Sequence, residues 1–243
     1  MHALRDSSRS YWGQKLGGTL LLISVSAVGF LYIDAHNAAL GATITALRLE
    51  THADALIPFQ PAFVFAYLLY YPWLLLPLAV LREREVFFRA LAAFALMQVC
   101  AALTFVWLPS HMLRPSVVPA GVAGDLVRFI YRLDMGWNVF PSLHVGHSTL
   151  VALLCWRQGH KSFPLVALGS ALISVSTVLI KQHYAVDIPA GLLLAWFCYR
   201  MSALALPSWS ELRERLERGQ DRVAVVVRAT ASRRPGSRND SLR

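Results

Sequence analysis

The chain has 243 residues, 56% of them hydrophobic and only 15% charged, with a net charge of +9 at pH 7. A soluble domain holds roughly 25% charged residues. A chain this apolar, of mean hydropathy +0.48, has too little polar surface to cover itself in water. The expectation is one membrane domain built from uncharged runs of about 20 residues.

Six such runs follow one another. The first spans about Leu16 to Ile33, behind a basic start of Arg5, Arg9 and Lys15. A signal peptide has a similar flank but an apolar stretch of about 7–15 residues, so a retained helix is expected. The second, about Gln60 to Leu81, contains Pro61, Pro72 and Pro77. Membrane helices tolerate proline where neighbours satisfy the freed carbonyls. The third is about Ala90 to Leu108, the fourth Ser142 to Trp156, the fifth Phe163 to Ile180 and the sixth Tyr184 to Leu206. The predicted fold is therefore all-α, a six-transmembrane-helix bundle over residues 1–206.

Residues 207–243 form a basic tail with nine arginines against five acidic residues. Within it Ser208 to Arg218 reads as an amphipathic surface helix, and the chain after Ala231 as disordered. An anionic leaflet, or the positive-inside rule alone, accounts for this charge better than nucleic acid does, and no nucleic-acid partner is expected. Cys100, Cys155 and Cys198 lie singly in apolar runs and read as buried free thiols.

Loop charges set the orientation. Arg82, Arg84 and Arg89 lie between the second and third runs, and Arg157 and Lys161 between the fourth and fifth. Both groups favour the cytoplasm, as do both termini. The segments before the fourth run and before the sixth then open on the outer face. A bacterial inner membrane with the site facing the periplasm is the expected location.

Two stretches on that face carry chemistry: Phe140-Pro141-Ser142-Leu143-His144 and Lys181-Gln182-His183-Tyr184-Ala185-Val186-Asp187. A neutral imidazole can attack phosphorus and hold it as phosphohistidine, if a carboxylate orients its other nitrogen. His183 and Asp187, spaced i, i+4, suit that role if the sixth helix begins by Gln182. His144 can protonate the leaving alkoxide and then activate water. Arg114, Lys181 and Ser142, with backbone N–H groups at a helix start, are candidates for binding the phosphate oxygens. This set needs neither metal nor cofactor. His147, three residues after His144, could pair with it on a metal, but no further ligands stand nearby in sequence. Arg128, Arg132 and Asp134 either read a headgroup or form an interfacial amphipathic segment.

The motifs resemble those of the type 2 phosphatidic acid phosphatase (PAP2) superfamily of lipid phosphatases and phosphotransferases. Its Pro-Ser-x-His motif is matched by Pro141, Ser142 and His144. Its Ser-Arg-x5-His-x3-Asp motif is matched by Ser176, His183 and Asp187, with Thr177 in place of the Arg. Its Lys-x6-Arg-Pro motif survives as Arg114-Pro115, with Trp107 in place of the Lys. The resemblance implies that His183 is the nucleophile, Asp187 its orienter and His144 the acid. Phe-Pro-Ser-Leu-His and Lys-Gln-His-Tyr are also similar to a branch that includes inositol phosphorylceramide synthases. Three functions stay open: a lipid phosphatase, a phosphotransferase to an alcohol acceptor, and a non-catalytic lipid-phosphate binder or transporter. A lipid phosphate and the bilayer are the expected partners, and the sequence is silent on oligomeric state. If His183 is needed neutral and His144 protonated, the pH profile is bell-shaped, with apparent pKa values that belong to the pair.

Overall fold

The structure is a computed structural model that describes residues 2–41, 43 and 46–205. The amphipathic and disordered segments expected beyond Pro207 lie outside the described residues. Those described form ten α-helices: α1 His2–Leu40, α2 His52–Leu56, α3 Val64–Leu68, α4 Tyr70–Trp73, α5 Leu76–Val80, α6 Arg84–Trp107, α7 Val122–Leu133, α8 Leu143–Arg157, α9 Phe163–Leu179 and α10 Asp187–Ala205. A 3₁₀ turn at Pro61–Phe63 leads into α3. The described residues contain no strand, only two isolated bridges, Leu47 with Ser110 and Ser110 with Asn138.

Five of the six expected runs appear as single helices, and the second does not. It is divided among the 3₁₀ turn, α3, α4 and α5. Pro72 and Pro77 have no N–H to give and their rings crowd the preceding turn, and each stands inside a short new helix, Pro72 in α4 and Pro77 in the first turn of α5. Tyr11–Leu40 within α1 and Arg84–Trp107 are long and apolar enough to cross a membrane, whereas Phe163–Leu179 is apolar but shorter.

The main core lies where α5, α6, α8 and α10 meet, around Phe87, Met97, Phe105, Leu150, Ala195 and Cys198. A second cluster joins Val64 and Tyr67 of α3 to Val127 and Ile130 of α7 and to Ile180. The amphipathic α7 turns Val127 and Ile130 inward and leaves Val122, Phe129 and Leu133 exposed. Arg128 donates to the carbonyls of Val118 (2.8 Å) and Pro119 (3.1 Å), which ties α7 to its own leading loop.

Polar contacts hold α1 at both ends. Lys15 is buried, and its Nζ donates to the carbonyls of Leu78 (2.8 Å) and Leu81 (2.7 Å). These carbonyls close α5, where the helix leaves acceptors unsatisfied. Some nineteen residues on, Asp34 accepts the N–H groups of Met135 (2.5 Å) and Trp137 (2.8 Å). Asn37 Nδ2 donates to the carbonyl of Phe105 at 2.9 Å. The first helix thus braces the loop that precedes Pro141.

Candidate active site

The site forms where α8 begins and the α9–α10 turn ends. Ser142 caps α8: its Oγ accepts the N–H of Val145 at 3.3 Å, and its carbonyl accepts that of Gly146 at 3.0 Å. The N–H groups of Leu143 and His144, in the same first turn, have no intrahelical acceptor by construction. Phe140 N–H donates to Ser110 Oγ at 2.9 Å and fixes the approach to the cap.

The turn after α9 decides where His183 goes. Helices α8 and α9 both end in a 6→1, 5→2 bond pair of Schellman type. For α8 these are His160 N–H to Cys155 and Gly159 N–H to Trp156, and for α9 Gln182 N–H to Thr177 and Lys181 N–H to Val178. Gly159, at φ 59°, fills the left-handed position after α8. Lys181, at φ 53°, fills it after α9. A side chain there costs roughly 1–2 kcal/mol. Lys181 offsets this by donating through Nζ to the carbonyls of Ile57 (2.7 Å) and Asp54 (3.1 Å). The carbonyl of Thr177 also accepts the His183 N–H at 3.1 Å.

The reversal leaves the His183 ring buried between α8 and α10. His183 Nδ1 lies 3.1 Å from Asp187 Oδ2, which also accepts the Tyr184 N–H at 3.0 Å. The contact expected from a shared helix face therefore arises differently. Helix α10 starts at Asp187 itself, and His183 reaches it from the preceding turn. Asp187 is fully buried. On the other side His183 Nε2 lies 3.3 Å from His144 Nδ1. The rings of Tyr67 and Tyr70 pack on His144 with centroids at 4.6 and 4.3 Å.

Close approach of α8 and α10 makes this line possible. A Cβ on Gly191 would stand 2.8 Å from Val145 Cβ and 2.9 Å from the Ser142 carbonyl oxygen. Only glycine admits both helices at this separation.

His144, His183 and Asp187 thus form one hydrogen-bonding line, and Ser142 stands at its edge as the cap. Arg114 lies one residue further out. It donates to the carbonyls of Tyr131 (3.1 Å) and Asp134, to Asp134 Oδ1 (3.0 Å) and to Gln182 Oε1 (2.6 Å). Its guanidinium stacks on the Tyr131 ring at 4.3 Å. Lys181, also read as a phosphate ligand, spends its ammonium on the two carbonyls named above. Ser176 and Thr177 point back along α9, their hydroxyls donating to Ile173 (2.6 Å) and Ser174 (2.7 Å).

Three contributors escaped the sequence reading. Gln182 is buried beside His183, and among the described residues its Nε2 has no partner, nor has Arg114 Nε. Asp54 accepts the Ala185 N–H at 2.7 Å and both the N–H and hydroxyl of Thr51 at 2.8 and 2.7 Å. Burial pushes the Asp54 carboxyl up, but these bonds and the Lys181 charge outweigh it, and the net shift is downward. Tyr70 bonds His147, its hydroxyl 2.7 Å from Nδ1. His144 and His147 therefore face different partners. Gln182, Asp54 and Tyr70 lie outside the motif positions that marked the other site residues. His111 packs on Trp137 at 4.7 Å. Burial, then the charges of Arg114 and Arg48, lowers its pKa.

Two cavities lie in this region, and of the two the larger is lined by a member of the line, His144. A large apolar one, about 510 Å³, runs from His144 and Asp134 down between α1, α4, α6 and α7. A smaller one of about 220 Å³ is lined by Glu50, Asp54, Arg114, Lys181 and Tyr184 among others.

Residues 35–201 match the family described as the PAP2 superfamily. The chain belongs to the PAP2 superfamily. The match runs from the end of α1 into α10 and takes in Arg114, His144, His183 and Asp187. PAP2 members are phosphatases or phosphotransferases of phosphoric esters, chemistry that a His–His–Asp line can serve. No curated protein and no solved structure matches the chain.

Proposed function

We propose that this PAP2 protein is a six-span membrane enzyme that hydrolyses a lipid phosphate or diphosphate through a phosphohistidine. The carrying observation is the line Asp187–His183–His144 ending beside an apolar cavity. With Nδ1–H donated to Asp187, the lone pair of His183 Nε2 faces the space shared with His144. Nε2 attacks phosphorus, the N–P bond forms and the bond to the lipid oxygen breaks. The imidazolium of His144 gives that oxygen its proton. His144 then takes a proton from water, whose oxygen attacks phosphorus. Inorganic phosphate leaves and His183 returns neutral.

Substrate must part the two rings, since 3.3 Å leaves no room for a phosphoryl group between them. The free N–H groups at the start of α8 suit the equatorial oxygens. So do Gln182 Nε2 and Arg114 Nε, buried donors without a partner among the described residues. The apolar cavity is within the usual range for ligand sites, about 300–1,000 Å³, and suits a lipid chain. Exposed apolar side chains on several helices, among them Leu21, Val99, Leu165 and Leu193, support a lipid-facing surface. The loop charges favour a site on the outer face, and a bacterial inner membrane fits them.

Transfer to an alcohol acceptor, as in inositol phosphorylceramide synthases, is the second reading. The polar cavity beside Arg114 and Lys181 favours it, because that cavity offers both carboxylates and cations to a hydroxylated acceptor. The test follows a phosphorus label in EDTA, with and without inositol and ceramide, in wild type and His183→Ala. Label released as inorganic phosphate and lost in the variant supports hydrolysis. Label carried onto the acceptor supports transfer. Turnover unaffected by His183→Ala would sink both.

A further inference from the structure

The backbone of the turn that carries His183 is committed at each N–H from Gln182 to Ala185. Those of Gln182 and His183 go to the Thr177 carbonyl, that of Tyr184 to Asp187 and that of Ala185 to Asp54. A backbone so pinned sends its side chains in fixed directions, and here they diverge. His183 reaches α8 and α10, through His144 and Asp187. Its two neighbours both reach the segment 111–114 instead. Gln182 Oε1 accepts an N–H of the Arg114 guanidinium at 2.6 Å. The Tyr184 hydroxyl accepts the Leu113 N–H and donates to the His111 carbonyl, both at 3.2 Å. Gln182 and Tyr184 are buried, so these bonds form out of reach of bulk water, where a lost partner is costly to replace.

The placing of Arg114 carries unusual weight in this chain. Of the three cations in the motifs that the sequence resembles, Arg114 alone is kept; Trp107 and Thr177 stand where the others would be. Lys181 is tied to two carbonyls. On its far side the guanidinium bonds Asp134 Oδ1 at 3.0 Å and stacks on Tyr131. Those contacts fix it to α7 and the residue that ends it, and leave its distance from His183 open. Gln182 relates the guanidinium to the His183 turn, and Tyr184 relates the main chain just before Arg114 to the same turn. One bond alone would leave a rotation free. Two, one on the side chain and one on the main chain, define both where the guanidinium lies and where it points.

Resting on the reading of His183 and Arg114 as the groups that attack and bind the phosphoryl group, we propose that Gln182 and Tyr184 are positioning residues that set Arg114 in register with His183. Gln182 aims the guanidinium through Oε1, and Tyr184 holds the backbone that bears it. As the N–P bond forms, phosphorus moves toward His183 and its equatorial oxygens move with it. A cation follows that change only if it is fixed relative to the attacking nitrogen, and a misplacement of about 1 Å can cost on the order of 10²-fold. Loss of either contact therefore weakens the five-coordinate state more than the ground state.

The experiment titrates the full chain in detergent with orthovanadate and, separately, with inorganic phosphate, by calorimetry. Vanadate can take the five-coordinate geometry of the transferring group, whereas phosphate stands in for the released product. Gln182→Met keeps the length of the side chain and removes its acceptor. Tyr184→Phe keeps the ring and removes the hydroxyl. Each variant is scored at a temperature where its melting curve shows it folded. Vanadate affinity should fall about tenfold in Gln182→Met, as for a hydrogen bond to a charged group, and about three- to fivefold in Tyr184→Phe. Phosphate affinity should fall less in both. In an Arg114→Gln background neither substitution should weaken vanadate further, because residues that act through one another couple in a double-mutant cycle. A direct contact of Gln182 with the oxygens, or general loosening of the turn, would persist in that background. Undiminished vanadate affinity in both variants, equal losses with and without Arg114, or equal losses for vanadate and phosphate would overturn the proposal while His183→Ala and Arg114→Gln still weaken vanadate. Vanadate affinity indifferent to those two would overturn the reading of the site and the proposal with it.

Discussion

The separate duties of Asp187 and Asp54 show how one short turn is held for chemistry. Asp187 holds the His183 ring through Oδ2 and the turn's backbone through the Tyr184 N–H. Asp187→Asn removes the charge that favours a cationic ring and offers His183 the wrong donor in one of two amide orientations. Turnover should fall by about 10²–10⁴-fold, as for an orienting carboxylate beside a catalytic imidazole, with lipid binding retained. Equal kcat in wild type and variant would remove Asp187 from the mechanism. Asp54 acts on the backbone instead, through the Ala185 N–H. Its folded-state pKa lies below the ordinary value, which for an unfolded aspartate is about 3.9. The sign follows: its contribution is fully present above that value and is lost as pH falls through the lower folded one. Asp54→Asn should reduce stability by on the order of 1–2 kcal/mol at neutral pH. The gap between the melting curves of wild type and variant should close below about pH 4. A gap that stays constant down to pH 3 would show that the Asp54 charge does not matter.

Among the elements, the end of α9 carries a local conflict that the site exploits. Lys181 occupies a left-handed position that favours glycine, and it anchors the turn through Asp54 and Ile57. Lys181→Gly relieves the strain and removes the anchors. These effects oppose each other in stability, so the melting temperature should move little, while turnover falls at least several-fold as His183 loses its fixed position. A variant that melts as wild type and works as wild type would deny the anchor any role. The α8–α10 crossing makes the opposite demand, for no side chain at all. Gly191→Val would force β-branched carbons against Val145 and the Ser142 carbonyl and separate His144 from His183. Overpacking of this kind costs about 1–3 kcal/mol, and activity should be lost at temperatures where the variant is still folded. Thr177 belongs to the same scale. It stands where the motif has Arg, is fully buried, and bonds Ser174 within its own helix.

Taken whole, the molecule is braced by α1, whose window of greatest hydropathy is only 6% buried. Leu22, Phe30 and Ile33 pack on the main core, and polar anchors fix its ends. Lys15 closes α5, Asp34 holds the Met135–Trp137 segment, and Asn37 reaches the end of α6. A protein lacking residues 1–40 should lose activity even where α8 and α10 still pack, because the loop leading to Ser142 is then free. Adding Asp34→Ala to the full chain should reproduce part of that loss and leave α1 in place. Full activity in both would mean that the helix serves only as an anchor.

Composition and periodicity could announce apolar helices, because lipid or core burial demands long uncharged runs whatever their partners. They also led to the expectation that two crossings return the chain to one face at His144 and His183, and the structure brings the two rings within 3.3 Å. Tolerance of proline in the second run was a weaker inference, and α3, α4 and α5 show the ladder broken where the N–H groups are missing. The turn geometry was beyond reach: a Lys in a left-handed position looks like any other lysine in a sequence. So was Gly191, whose meaning depends on what lies across from it. Gln182, Asp54 and the Tyr70–His147 pair draw their roles from groups up to 131 positions away. Spacing along the chain holds no record of such distances, and only packing of the helices decides which polar atoms meet and which are left without a partner.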